Sequence, residues 1–278
     1  MLATECPREN MLTHPSSSIK RIIDIDEIKK YLHEIDCFDI HSFLNSSTIE
    51  FLASVPQKKI YTLHGELSIG NFTDYLAVDK VISVSQHLKE LFIEKFPSYQ
   101  KMVHVECNIF SSTCARRNNY NSKNIVFVVT NASENSKKAT AQIIKDIPKE
   151  FEITIIGRIA DIDIADRKIT YAGWNDVDQY LEKNDFLCGF SRGGFCSIDI
   201  LSHGIPAFSF YDRNGEIYLT PIRKSNYEEM YKNNFVSYDL YDKVNLSDLI
   251  QRLSSGDSDF DVHDKVIANT LHHDYFDI

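Results

Sequence analysis

The chain alternates short apolar runs with amphipathic stretches of helical period. Residues 24–35 set apolar and charged positions at helical spacing, 38–43 read as a strand, and 48–53 as a short helix. A second strand at 59–63 ends in His64-Gly65. A third follows at 81–84, then an amphipathic helix at 86–96 and a fourth strand at 103–106. The polar stretch 111–122, SSTCARRNNYNS, has the composition of an interdomain linker. Beyond it the alternation resumes. Residues 125–129 form a buried strand, and 130–138 a polar loop entering a helix at 139–144. Residues 151–156 form a strand closing at Gly157-Arg158, 169–172 another with Gly173-Trp174 as its turn, and 177–181 open a helix. Strands alternating with helices predict parallel sheets in an α/β fold, whose ligand edge lies beyond the strand C-termini.

The most informative unit runs from 185 to 210, DFLCGFSRGGFCSIDILSHGIPAFSF. It reads as a strand, a glycine-bearing turn at 191–194, a short helix at 195–203, and a second strand at 207–210, with Gly204 as a C-terminal cap and Pro206 forbidding continuation. Gly193 and Gly194 lack Cβ atoms, so a ligand can approach the backbone there, and the first amides of the following helix have no partners inside it. Together they offer an anion site through the amides of Phe195, Cys196 and Ser197. Arg192 adds a cation suited to diphosphate oxygens. Asp199, about one turn further in, would repel phosphate but can accept hydrogen bonds from ribose hydroxyls. A loop and helix of this kind could hold a nucleoside diphosphate.

Past this unit, 211–216 (YDRNGE) reads as a turn-rich loop, and 227–233 and 246–253 as closing helices. The outer segments carry less pattern. Residues 1–18 read as a leader or irregular cover, and 256–278 as an acidic tail or closing helix. The expected division is an N-terminal α/β domain at 19–115 and a second at 123–255.

With 278 residues, 43% apolar and 25% charged, the chain has length and apolar content for a packed core, which excludes wholesale disorder. Its net charge of −10 argues against nucleic acid as a partner. No signal peptide opens it and no apolar run approaches the length of a membrane span, so a cytoplasmic protein is expected. The six cysteines form no CxxC pair and no metal-spaced cluster with histidine, so no metal site is expected. Cys37 and Cys188 lie in apolar runs and read as core residues. Cys196 reads as an ordinary thiol, reactive only if a helix N-terminus lowers its pKa.

Residues 194–206, GFCSIDILSHGIP, resemble the donor-site signature of retaining GT-B nucleotide-sugar glycosyltransferases. There, a glycine-rich turn opens a helix bearing an acid and ending in Gly-x-Pro. Asp199 falls where that family usually has the glutamate that binds donor ribose. The glutamate often found eight residues earlier is replaced by Ser191. The resemblance extends to HGELSIGNFTDYLAVDKVISVSQHLKELFIEKFP followed by HVECNIF, and covers roughly residues 36–216. It implies two Rossmann-like domains facing across a cleft, with the first shortened, and His64 as the catalytic histidine that contacts donor sugar or acceptor. It implies that Lys137 or Lys138 meets the diphosphate, that Thr130 or Asn131 stands where the family has an arginine, and that the Gly173-Trp174 backbone meets the nucleobase.

The implied activity is transfer of a sugar from a nucleotide-diphosphate sugar to a glycan or other hydroxyl, retaining and without a metal or other cofactor. A protein partner or homo-oligomer is compatible with the shortened first domain. Two other readings stay open: a non-catalytic GT-B-like binding or assembly subunit, and another nucleotide-binding α/β enzyme such as a phosphosugar isomerase.

Overall fold

The computed structural model describes residues 2–3, 21–22, 25–41, 44–108, 119–130, 133–159, 162, 164, 166–173 and 177–270. The chain divides into two compact units, Met1–Glu106 and Cys107–Ile278. The expected leader and linker fall largely outside the described residues, whereas the expected tail is described as far as residue 270 and includes a helix there, His263–Thr270.

In the first unit two-residue strands β1 (Leu2–Ala3) and β2 (Arg21–Ile22) pair in parallel. The main sheet comprises β3 (Cys37–His41), β4 (Lys58–Leu63), β5 (Lys80–Ser83) and β6 (Val103–Val105), all parallel and in sequence order. Around it lie α1 (Ile25–Lys30), α2 (Ser46–Ser54), α3 (Glu66–Asn71) and α4 (Gln86–Lys95). Side-chain caps set two helix starts: Asn45 accepts from the Thr48 amide at 2.9 Å, and Ser85 from the Leu88 amide at 3.2 Å. The core gathers Tyr61, Leu63, Val81 and Phe92, with Phe72 packed edge-on to both aromatic rings. Only Ile40 of β3 is fully buried, because this is an edge strand. Cys37 is therefore exposed rather than in the core.

The second unit holds a six-stranded sheet: β7 (Asn124–Val129), β8 (Glu152–Gly157), β9 (Ile169–Gly173), β10 (Cys188–Ser191), β11 (Ala207–Arg213) and β12 (Glu216–Pro221). Its order is β12-β11-β10-β7-β8-β9, and only the β11–β12 pair is antiparallel. Helices α5 (Glu134–Asp146), α6 (Val177–Lys183), α7 (Phe195–Ser202), α8 (Tyr227–Lys232), α9 (Leu246–Ser254) and α10 (His263–Thr270) accompany it. Ile125, Phe127 and Val129 of β7 enter one core, while Val126 and Val128 enter another on the opposite face. Burial on both faces is why β7 is continuously apolar in sequence. Phe127, Phe190 and Phe208 are in register on three adjacent strands, and their rings stack with centroids 4.7 Å apart at each step.

Two expected elements differ. Residues 211–216 form a hairpin rather than a loop: Asn214 and Gly215, with φ of 53° and 83°, make the two-residue turn joining β11 to β12. Asn-Gly is the pair such a turn favours, because both positions need left-handed backbone. Helix α5 starts five residues before the expected 139, with Ser133 accepting from the Ser136 amide at 3.2 Å as its cap.

Gly157 closes β8 at φ +139°, and a Cβ there would lie 1.9 Å from the Val129 carbonyl oxygen at the end of β7. Gly157→Ala should cost about 3 kcal/mol or more in urea denaturation, since both the dihedral and the contact forbid a side chain. A loss below about 1 kcal/mol would show that the two strand ends part easily.

Candidate functional site

Sheet topology places the site. From β7 the chain moves outward through β8 and β9, then returns to lay β10 on β7's other side and β11 beyond it. The order reverses between β7 and β10, and a parallel sheet opens a crevice at such a switch point, beyond the strand C-termini. The two loops there are the segment after Val129 and the segment after Ser191.

Gly194 is the N-cap of α7, with φ 58°, and no side chain caps that helix. Gly193 sits at φ +82°, where a Cβ would come within 2.7 Å of the Phe235 carbonyl oxygen. The glycine thus admits the backbone of the turn after α8, and the Gly194 amide donates to the Asn234 carbonyl at 2.8 Å. Asn234 and Phe235 are themselves left-handed, with φ of 54° and 55°. Gly193 serves a protein contact rather than open access for a ligand. Gly194 is roomier, the nearest neighbour of its would-be Cβ being Asn234 Nδ2 at 3.5 Å.

Arg192 does not stand as a free cation. Its guanidinium lies 2.6 Å from Asp212 Oδ1 of β11, donates to the Ser136 hydroxyl of α5, and covers the Tyr211 ring at 5.4 Å. The two charged side chains are only 18% and 13% exposed, so each depends on the other for its charge. Arg192 Nε and Asp212 Oδ1 have no hydrogen-bond partner among the described residues; charge, more than hydrogen-bond alignment, joins them.

Ser191 is fully buried, and its hydroxyl lies 2.6 Å from that of Ser197, also fully buried. This inward pair occupies the position of the family's first acid. Cys196 contacts Thr130 of the β7 loop, and burial followed by the nearby Asp199 raises its thiol to about 11, so the helix start does not activate it. Cys188 is wholly buried and its thiol is raised further. Phe195 is 58% exposed at the mouth of α7.

Asp199 lies on α7 facing Asp178 of α6. Burial first, and then the Asp178 carboxylate, push its carboxyl to about 7. The Asp199 carbonyl faces His203 Nδ1 at 2.7 Å; a carbonyl only accepts, so Nδ1 carries the proton. His203 Nε2 lies 4.0 Å from Asp178 Oδ1.

The remaining expected residues are more scattered. Lys137 is in the second turn of α5, 3.4 Å from Glu134, and Lys138 is exposed on the same helix. Neither lies on a loop. Gly173 ends edge strand β9 at φ +68°, with open space around it. Asn131 and Trp174 lie outside the described residues. Sequence reasoning missed Ser136, Asp212 and the Asn234-Phe235 turn. Consecutive Asn233-Asn234 after a helix is a legible left-handed cap signal, whereas nothing local ties Asp212 to Arg192.

In the first unit, His64 follows β4 and its ring meets His41 at the end of β3, with Nε2 2.7 Å from His41 Nδ1. His41 Nε2 is 2.8 Å from Asp39 Oδ2, and the Thr62 hydroxyl lies 3.3 Å from Asp39 Oδ1. Among the described residues no group of three His, Cys, Asp or Glu is placed to hold a metal ion. No described helix is long and apolar enough to cross a membrane.

No protein-family model and no curated protein matches the chain. Solved structures do. Anabaena HepE in complex with UDP-glucose aligns with a TM-score of 0.58 at 13% identity, covering 87% of this chain and 76% of HepE. Staphylococcus aureus TarM, as a G117R mutant with fondaparinux, alpha-GlcNAc-glycerol and UDP, aligns at 0.59 and 14% identity over 80% of this chain and 50% of TarM. The chain has the GT-B glycosyltransferase fold. A second TarM structure agrees, at 0.60 and 12% identity over 88% of this chain. The chain spans about half the length of TarM, so the GT-B likeness covers part of that protein.

Proposed function

We propose that this chain transfers a sugar from a nucleotide-diphosphate sugar, a UDP-sugar such as UDP-glucose, to a hydroxyl acceptor, with retention and without a metal. The observation that supports the reading most is the GT-B fold shared over 87% of the chain with HepE, a protein solved with UDP-glucose. The switch-point crevice supplies matching chemistry. Asp199 accepts the ribose hydroxyls, and the amides at Phe195 and Cys196, at the start of α7, meet the diphosphate. Arg192 reaches the diphosphate only by sharing its charge with Asp212, and the α5 lysines add diffuse positive charge. Gly173 is assigned to the donor side, as the resemblance also assigns Asn131 and Trp174, and His64 is assigned the role of contacting the sugar or acceptor.

A second reading is favoured by one feature. Ser191 is tied inward to Ser197 and Arg192 is neutralised by Asp212, which suits a GT-B-like subunit that binds donor without turnover. Calorimetric titration with UDP-glucose, UDP and uridine, combined with UDP release during incubation with UDP-glucose, separates the two. The transferase reading expects binding together with release. At 100 times its dissociation constant, the ligand should add about 2.7 kcal/mol to the unfolding free energy. Binding with no release would support the non-catalytic subunit, and no binding of any nucleotide-sugar would remove both.

A further inference from the structure

Asp39 and His41, which the proposed function leaves without a role, form a hydrogen-bonded chain with His64. Strand β3 alternates its side chains, so Asp39 and His41 share one face. The parallel register sets His41 opposite Thr62 of β4, two residues before His64. The imidazole rings are stacked with centroids 5.0 Å apart and planes 26° from parallel. The His64 amide donates to the Ser68 hydroxyl at 3.2 Å, which ties the residue to the start of α3.

Donor and acceptor roles follow from the partners. A carboxylate only accepts, so His41 Nε2 carries a proton toward Asp39. In the neutral ring His41 Nδ1 is then a lone pair, and the 2.7 Å contact requires His64 to present Nε2–H to it. His64 Nδ1 is left as a lone pair with no partner among the described residues. It is the open end of the chain.

We propose that these three residues are a proton relay, in which a proton taken from a substrate hydroxyl at His64 Nδ1 is stored as positive charge on His41. When Nδ1 gains a proton, the Nε2–H bond of His64 breaks and an N–H bond forms at His41 Nδ1. His64 returns to neutrality as its other tautomer, and His41 becomes an imidazolium held by Asp39, which stays a carboxylate. No electrons are exchanged, and reversing the steps returns the proton. The role as acceptor of a hydroxyl proton rests on the transferase reading; the relay itself rests on the geometry.

The charge asymmetry agrees with that assignment. The Asp39 hydrogen bond raises His41 above the ordinary imidazole range against the cost of burial. Burial and then the neighbouring His41 lower His64. Burial opposes the Asp39 charge, but hydrogen bonds from His41 and Thr62 hold the carboxyl below its usual value. These three are the titratable groups acting on one another here; Thr62 adds a neutral hydroxyl.

Histidine nitrogen NMR on the full-length chain, titrated from pH 9 to 5, tests the relay without any donor. On the first protonation His41 should give the imidazolium signature while His64 changes from the Nε2–H to the Nδ1–H tautomer. Asp39→Asn should lower the midpoint of that step by about one pH unit, a tenfold loss of proton affinity. In His41→Phe, His64 should take the charge itself. A wild-type spectrum in which His64 becomes charged first, or an Asp39→Asn midpoint that does not move, would overturn the relay. Because nothing here needs nucleotide, a relay that titrates as described in a protein that binds no nucleotide-sugar would sink the transferase reading alone.

Discussion

Arg192→Ala should destabilise the protein by about 3 kcal/mol in urea denaturation, because it strands Asp212 as a buried carboxylate without its counter-charge. The guanidinium also joins three elements, reaching α5 through Ser136 and β11 through Asp212 and Tyr211. Replacing both members of the pair, as Arg192→Leu with Asp212→Leu, should recover most of the loss, since no unpaired charge remains. If Arg192 served the diphosphate alone, the single variant would instead keep its stability and lose only affinity for UDP. An unfolding free energy within about 0.5 kcal/mol of wild type would establish that alternative.

Asp199→Asn should make uridine binding independent of pH, whereas wild-type affinity should fall as pH drops through about 7. The protonated carboxyl keeps a single free acceptor oxygen and cannot serve both ribose hydroxyls as the carboxylate does. At pH 8 the variant should bind at least tenfold more weakly, in line with a lost hydrogen bond to a charged group. Stability without ligand should change in the opposite sense. The folded carboxyl titrates near 7 and the unfolded one near 3.8, so the native state holds the extra proton between those values. Wild-type stability should therefore decline as pH rises across that window, and Asp199→Asn should remove the decline. A flat wild-type profile in both calorimetry and urea denaturation would eliminate Asp199 as the ribose acceptor.

Local patterns made much of the fold legible. Buried strands such as β7 announce themselves as unbroken apolar runs, and the Gly-rich turn before α7 follows from Gly193, Gly194 and the Gly204-x-Pro206 stop. The hairpin at Asn214-Gly215 was equally local, but its polar flanks, Asp212 to Glu216, masked the strand pattern around it. Capping by Ser133 was overlooked because 130–138 is polar throughout, although polarity and helix are compatible on a solvent face. The site was less legible for a different reason. The Arg192 partners lie on β11 and α5, and the His64–His41 contact joins two strands; sheet register decides these meetings, and side-chain spacing along the chain does not encode register directly.

The stacked phenylalanines across β11, β10 and β7 also bear on how the crevice comes into being. Phe190 and Phe208 are roughly 20 residues apart, whereas Phe127 and Phe190 are separated by roughly 60, and loop-closure entropy grows with that separation. The β10–β11 half of the ladder can form early from nearby chain. The β7–β10 half must wait until the intervening β8 and β9 segments have been drawn in. The last ring to join the stack is thus the one that brings the two loops of the crevice face to face, so any binding by this edge switches on only with completion of the central pairing.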